Sequence, residues 1–127
     1  MQLHQERPDY EFVLRGAGGD SAKVNDRVLR ESFIVAPDRL IESWPVHDVA
    51  SVSVADLEQA LALQPEVLVL GTGGEQAFPP PETTAACLAR GVGLEAMTNS
   101  AAARTYAVLA AEDRRVVAAF ILPRQAM

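Results

Sequence analysis

The sequence LVLGTGG at residues 68–74 and the sequence MTNSAAARTY at residues 97–106 share one pattern. In each, an apolar strand ends in a turn that leads to a helix. The first turn is rich in glycine, and the second is rich in hydroxyl side chains. If the two strands are parallel neighbours, both turns open at the same edge of the sheet, which is where open α/β sheets bind ligands. The pair therefore predicts a pocket at that edge.

The second half of the chain is typical of alternating strands and helices. The apolar run at 67–70 is continuous, as in a strand buried on both faces. The prolines at 79–81 suit the first turn of a helix. Because crossovers between parallel strands are right-handed, we expect the helices to cover the sheet. The predicted elements are a helix from Val54 to Pro65, a strand at 67–70, a helix from 79–81 to Arg90, a strand at 92–96, a helix at 99–111 and a strand at 115–122.

The first 37 residues predict a small antiparallel section instead. Asn25 and Asp26 tolerate the positive φ of a tight hairpin turn, and β-prone segments flank them. Pro37 stops the last strand, and Leu40–Pro45 follows as an extended piece, since the residue before a proline avoids the α region. The strands expected in this section lie at 10–14, 22–24, 27–29 and 32–35.

The composition is that of one soluble globular domain, spanning residues 1–127. With 49% hydrophobic and 22% charged residues, the chain can bury one core. A net charge of -6 disfavours nucleic acid and anionic membrane surfaces as partners. No run approaches the ~20 apolar residues of a membrane span, and the acidic N-terminal stretch does not suit a targeting peptide. The single cysteine fits a reducing compartment, so we expect a cytoplasmic protein.

The glycine turn, Gly71-Thr72-Gly73-Gly74, does not match a nucleotide-binding fingerprint. A dinucleotide site places a further glycine at the position that Gln76 occupies here, and its helix opens at once. A phosphate loop needs Gly-Lys-Ser/Thr, which is absent. We therefore expect no nucleotide cofactor. The glycines are better explained by close backbone approach or by positive φ.

The hydroxyl turn contains three residues that cap helices well, Thr98, Asn99 and Ser100. Arg104 follows one turn into the helix, where the helix dipole opposes a cation. Two explanations for this arginine remain open. Either an external anion or a partner's carboxylate lies between the guanidinium and the free N–H groups, or Arg104 pairs within the chain. The candidate carboxylates within the chain are Glu66, Glu75 and Glu95.

The other reactive residues predict no catalytic or metal-binding set. His4 is distant from the His47-Asp48 pair, and no serine occupies a G-x-S-x-G elbow. Cys87 falls on the apolar face of its helix, where a free thiol packs as a small hydrophobic group. Trp44 has two interpretations, as an exposed anchor for a partner or as part of the core.

A wider set of motifs resembles a known family. The sequence is similar to a small uncharacterised domain of bacteria and archaea, whose eukaryotic relatives include mitochondrial respiratory complex I assembly factor 3 and a cytosolic protein associated with fat-cell differentiation. The resemblance covers nearly the whole chain. The segments that carry it are Val24-Asn25, SFIVAP at 32–37, Trp44, LGTG at 70–73, EAMT at 95–98, AARTYAVL at 102–109 and RRVVAA at 114–119.

The resemblance implies a single three-layer α/β domain, with an antiparallel β-hairpin layer, a mixed central sheet built on the β-α-β-α-β half, and two to three helices. For bacterial members it implies no established activity. This chain departs from the family pattern at Ala103, where cysteine is frequent, and at Ala107, where asparagine is common. The loss of a thiol and an amide from that helix weakens a catalytic role for the hydroxyl turn. No transit peptide is recognised, so the mitochondrial role does not carry over directly.

Two functions are then expected. The first is a non-enzymatic protein-binding or assembly-factor-like module, with an apolar groove around Trp44, Phe78 and 79–81 as its contact surface. The alternative is a protein or enzyme that holds a small anion or carboxylate between the two turns. Neither function implies a cofactor or a metal. The ligand-binding residues of the alternative would be Gly71, Thr72, Gly73, Gly74, Thr98, Ser100 and Arg104.

Overall fold

A computed structural model describes residues 10–124 and shows a mixed α/β fold with two sheets. The three-stranded sheet is antiparallel, in the order β1-β2-β3, and the five-stranded sheet has the order β5-β4-β8-β6-β7. The predicted fold class is confirmed. The strands are β1 Leu14–Ala17, β2 Ala22–Val24, β3 Arg27–Leu29, β4 Phe33–Ala36, β5 Arg39–Ile41, β6 Val67–Gly71, β7 Gly93–Met97 and β8 Val116–Phe120, and the helices are α1 Glu58–Leu61, α2 Pro81–Ala89 and α3 Asn99–Ala111.

The centre of the larger sheet is the parallel trio β8, β6 and β7. β4 runs antiparallel to β8, and β5 runs antiparallel to β4. β6 therefore has a strand on each side and is buried on both faces, as its continuous apolar sequence predicts. α2 connects β6 to β7, and α3 connects β7 to β8 across the position of β6.

Each face of the five-stranded sheet carries its own hydrophobic core, because successive side chains of a strand point to opposite faces. Val69 and Phe120 lie in one core, with α3 and the three-stranded sheet. Leu68 and Leu70 lie in the other core, which α1 and α2 cover. The expectation that helices cover the sheet is confirmed, and the hairpin sheet shares one face with α3.

The hairpin β2–β3 forms where the sequence predicts it. Val24 pairs with Arg27, and Asn25 adopts a φ of 54° in the two-residue turn. β1, however, does not lie at 10–14 as predicted. The N–H groups of Glu11 and Phe12 both donate to the carbonyl of Pro37, at 3.0 Å each, so this segment is bonded outside the ladder.

Two further predictions from the first half were wrong in detail. The strand predicted at 32–35 is β4, which joins the central sheet through β8 rather than the small antiparallel section. The helix predicted from Val54 to Pro65 contains only a short 3₁₀ turn and the four residues of α1. Both segments place apolar side chains in the cores that cover the five-stranded sheet. Sequence periodicity alone does not show against which layer a segment packs.

Trp44 belongs to the core and is 2% exposed. Its indole Nε1–H donates to the carbonyl oxygen of Asp56 at 2.8 Å. The interpretation of Trp44 as an exposed anchor was therefore wrong, and the groove proposed around it loses that side chain. Phe78, in contrast, is 69% exposed.

Among residues 10–124, no helix has both the length and the apolar character that a bilayer crossing requires.

An ion pair connects the two sheets at the surface. The two terminal guanidinium nitrogens of Arg27, in β3, donate to the carboxylate of Glu42, just after β5, at 2.6 Å each. The hydrogen bonds from Arg27 hold the pKa of Glu42 below its usual value. A carboxylate with a lowered pKa stabilises the fold above its unfolded pKa, and this contribution is lost as the pH falls through the folded pKa.

We predict that Glu42→Gln lowers the urea midpoint slightly at pH 7, and that the difference from the native protein shrinks as the pH falls below about 4. The effect is small because both side chains are about half exposed. Urea unfolding at a series of pH values measures it. Glu75→Gln, at an exposed glutamate with no ion pair in the described structure, is the control and should show no such pH dependence. A constant difference between Glu42→Gln and native protein at every pH would contradict the prediction.

Candidate functional site

The two turns lie side by side at the carboxyl edge of the central sheet, as predicted. β6 and β7 are parallel, with Gly71 opposite Met97. The Thr72 N–H donates to the carbonyl of Met97 at 2.8 Å, and the Asn99 N–H donates to the carbonyl of Gly73 at 2.8 Å. Main-chain hydrogen bonds therefore join the glycine turn directly to the start of α3.

The Asn99 side chain, which is fully buried, occupies the space next to the glycine turn. Its Oδ1 accepts from the N–H of Gly73 at 3.0 Å. Its Nδ2 donates to the carbonyl oxygens of Gly18 at 2.9 Å and Ile121 at 3.1 Å. One amide thus joins the glycine turn to the loop after β1, to the end of β8 and to α3.

Gly71 is required by this arrangement. A Cβ atom at position 71 would lie 2.3 Å from Oδ1 of Asn99 and 2.9 Å from a ring carbon of Phe120. Gly73 has a separate reason, a φ of +100°, which side-chain-bearing residues rarely adopt. The structural explanation of these two glycines is therefore sufficient without a ligand.

The backbone donors that an anion would need are largely engaged. The N–H of Thr72 bonds to Met97 and that of Gly73 bonds to Asn99. The N–H of Ala101 donates to the Thr98 hydroxyl at 3.2 Å, which makes Thr98 the N-cap of α3. Engaged donors leave fewer N–H groups for a bound anion. Anion binding between the turns stays a prediction.

The remaining predicted site residues divide between two places. The Thr72 hydroxyl donates to the carbonyl of Glu75 at 2.7 Å, within its own turn. Gly74 lies against Gly19. A Cβ atom added to Gly19 would be 3.4 Å from the backbone of Gly74. Ser100 and Arg104 instead line a cavity between α3 and β1, and the glycine turn does not line it.

Arg104 has no carboxylate partner within residues 10–124. Its guanidinium donates to the Ser100 hydroxyl at 2.9 Å. Glu66 is engaged elsewhere, since it accepts from the Arg115 N–H at 3.0 Å and lies 3.8 Å from Arg114. Neither Glu75 nor Glu95 forms an ion pair with Arg104 in the described structure, so the prediction that one of these three glutamates pairs with this arginine was wrong.

Two side chains near the site were missed by the sequence analysis. Asn99 was recognised only as a helix-capping type, and nothing in the local sequence indicates that its amide is buried and hydrogen-bonded to distant segments. Arg15 lines the same cavity as Arg104, but the strand was predicted to end at residue 14. β1 in fact ends at Ala17, three residues later, and Arg15 is an exposed position of this strand.

The other reactive groups have structural roles. The Tyr106 hydroxyl donates to the carbonyl of Phe12 at 2.9 Å, and burial raises its pKa. His47 Nδ1 lies 3.2 Å from the carbonyl oxygen of Leu122. Burial likewise raises the pKa of the Cys87 thiol. Across residues 10–124, no three His, Cys, Asp or Glu side chains cluster as metal ligands would, and His4 lies outside the described residues.

We predict that Asn99→Ala destabilises the protein by about 3 kcal/mol, since it removes three hydrogen bonds of a fully buried amide at ~1 kcal/mol each and leaves the buried carbonyl oxygen of Ile121 without this donor. Asn99→Asp keeps the shape of the side chain but places a carboxylate oxygen against the carbonyl oxygens of Gly18 and Ile121. This repulsion should also destabilise the protein. Ser100→Ala, at the neighbouring exposed position, should change stability by less than about 0.5 kcal/mol. Urea unfolding measures all three variants. An Asn99→Ala protein as stable as native would show that the amide does not hold these segments together.

We also predict that the Cys87 thiol reacts with a thiol reagent at least about tenfold more slowly in the native protein than in urea, because the thiol is fully buried and its pKa is raised. The time course of colour release from Ellman's reagent measures this. A Cys87→Ala, Leu88→Cys variant moves the thiol to an exposed position and should react as fast folded as unfolded. Rapid labelling of native Cys87 would mean that α2 opens readily.

Comparisons with known proteins agree with this architecture. The NMR structure of a Xanthomonas campestris protein is 52% identical in sequence, with a TM-score of 0.83, over 100% of this chain and 98% of that one. The NMR structure of a Bordetella pertussis protein, described as a Mth938-like domain, is 35% identical, with a TM-score of 0.79, over 97% of this chain and 92% of that one.

A curated relative and a family model complete the comparison. The "13 kDa major membrane protein" of Francisella tularensis is 32% identical over 71 residues, which are 56% of this chain and 58% of that protein. The model of the family described as "Protein of unknown function (DUF498/DUF598)" matches residues 14–121. This match covers β1 to β8 and every residue of both turns. The chain therefore belongs to the DUF498/DUF598 family.

Proposed function

We propose that the protein is a non-enzymatic binding module that docks on another protein. The observation that carries the proposal is the exposure of large apolar side chains on and beside α2. Phe78 is 69% exposed and Leu88 is 68% exposed. Large apolar side chains that are exposed near one another often mark a surface that contacts another protein.

Helical geometry groups these side chains. In α2, positions 81, 85 and 88 fall on one face, and all three are exposed. Thr83 and Cys87 lie on the opposite face and are buried. Phe78 lies three residues before the helix, in a non-helical segment. We call Phe78, Pro81, Ala85 and Leu88 the α2 surface; it contains no charged residue.

The chemistry of the described residues also favours binding over catalysis. The polar groups at the carboxyl edge are bonded to one another, above all through Asn99. Two potential nucleophiles, the Tyr106 hydroxyl and the Cys87 thiol, belong to buried residues and have raised pKa values. These side chains stabilise the fold and leave the exposed apolar surface as the better candidate for function.

The resemblance to a mitochondrial assembly factor supports the same class of function, since an assembly factor works by binding other proteins. That relation rests on sequence resemblance alone. The proposed contact surface differs from the groove expected from the sequence, because Trp44 and Pro79 are both buried. For this chain we propose a cytoplasmic location, consistent with its one buried thiol; the membrane named for the Francisella protein belongs to that relative.

We predict that Phe78→Ser with Leu88→Ser lowers recovery of the bound partner about tenfold or more, because apolar anchors dominate contact energies. The tagged native protein and the variant are isolated from source cells, and the ratio of partner to bait is measured. Val108→Ser is the matched control, since Val108 is a large apolar side chain, 55% exposed, on α3.

Native protein and control should recover the same stoichiometric partner, and urea midpoints should agree for all three proteins. An equal loss in the control would place the contact elsewhere. Isolation of native protein with no stoichiometric partner at any salt concentration would sink the binding-module proposal.

A further inference from the structure

A cavity of about 230 Å³ lies between β1 and the first half of α3. Ser100, Arg104 and Ala107 reach it from one face of the helix, since residues three, four and seven apart share a face. Arg15 reaches it from β1. The two elements pack directly against each other, so the core beneath them sets the backbone positions of both arginines beside one cavity, and the two side chains are exposed.

The two guanidinium groups differ from most other arginines of the described chain. Neither Arg15 nor Arg104 has a carboxylate partner within residues 10–124, and no acidic residue lines the cavity. Arg104 donates to the Ser100 hydroxyl. Two positive charges therefore face one space in a chain whose net charge is -6. The arginines that do pair with carboxylates are Arg27, Arg90, Arg114 and Arg115.

The cavity exists because small residues form part of its wall. Gly16, Ala17, Ala103 and Ala107 line the cavity. An added Cβ at Gly16 would meet no atom within 4 Å, so open space lies beside this strand. The volume is below that of a typical drug-sized site and suits a small ion with a few attached carbon atoms.

We propose that this cavity binds a small phosphate monoester. The polar side chains that line it are donors: two guanidiniums, and a serine hydroxyl that accepts from Arg104 and can give its own proton to a ligand oxygen. A phosphate monoester supplies two negative charges and three acceptor oxygens, which match two guanidiniums and one hydroxyl. One guanidinium group can donate two parallel, charge-assisted hydrogen bonds to the oxygens of a phosphate.

This site differs from the pocket expected between the two turns. It keeps Ser100 and Arg104, replaces the glycine turn by Arg15 of β1, and needs none of the backbone N–H groups that are already bonded. It is also separate from the α2 surface, so its test and the partner-binding test are independent.

The test is an NMR titration of the full chain with inorganic phosphate and, separately, with glycerol 3-phosphate. We expect saturable shifts of the amide signals of residues 14–17 and 100–107, with the ester binding more tightly than the free ion because its carbon atoms contact the alanines. Succinate, a dicarboxylate of similar charge, should bind at least about tenfold more weakly, since its oxygens are planar and separated.

Variants separate charge from shape. Arg15→Ala and Arg104→Ala should each weaken phosphate binding about tenfold or more. Ala107→Leu keeps both charges but fills the cavity, and it should abolish the saturable shifts without unfolding α3, since leucine is a good helix former. Arg39→Ala removes an exposed arginine that does not line the cavity and should bind phosphate as the native protein does.

Three results would overturn the proposal. These are the absence of saturable shifts at residues 14–17 and 100–107 in folded native protein, equal binding by native protein and Ala107→Leu, or succinate binding as tightly as the phosphate ester. The first would exclude an anion site here, the second would reduce it to surface charge, and the third would exclude a site selective for phosphate.

Discussion

The buried amide of Asn99 is the interaction on which the carboxyl edge of the sheet depends. Its three side-chain hydrogen bonds reach the turn after β6, the loop after β1 and the chain just past β8. A buried amide without partners is costly, so these segments are held in one relative position or the fold loses several kcal/mol. The absence of a side chain at Gly71 is part of the same arrangement, because any Cβ there would overlap the amide oxygen.

This constraint moves the candidate functions away from the place where open α/β sheets usually bind ligands. The edge is occupied by the protein's own polar groups, which rigidify it. The two surfaces that we propose as sites lie on opposite faces of the central sheet: an apolar surface along α2 on one face, and a cavity with two arginines between β1 and α3 on the other. The first suits a protein partner and the second suits a small anion, and the two do not share residues.

Much of the fold could be predicted because local patterns were strong. α3 runs from Asn99 to Ala111 as expected, since Thr98 caps it and alanines favour it. The hairpin around Asn25 was equally clear. β1 was misplaced because Glu11 and Phe12 bond to Pro37, a contact distant in sequence. Of the candidate site, the adjacency of the turns followed from parallel pairing, whereas Arg15 was missed because the strand boundary was wrong.

The sequence by itself determined the strands and helices of the second half, from β6 to β8, and the absence of a nucleotide-binding fingerprint, because these follow from periodicity, capping and spacing along the chain. Only the tertiary structure decided that Trp44 is buried, that Asn99 fills the edge and that Arg104 lines a cavity with Arg15. Burial and pairing of such side chains depend on which distant segments the core brings together. A local pattern cannot encode that choice, since the same residue suits either environment until its neighbours are known.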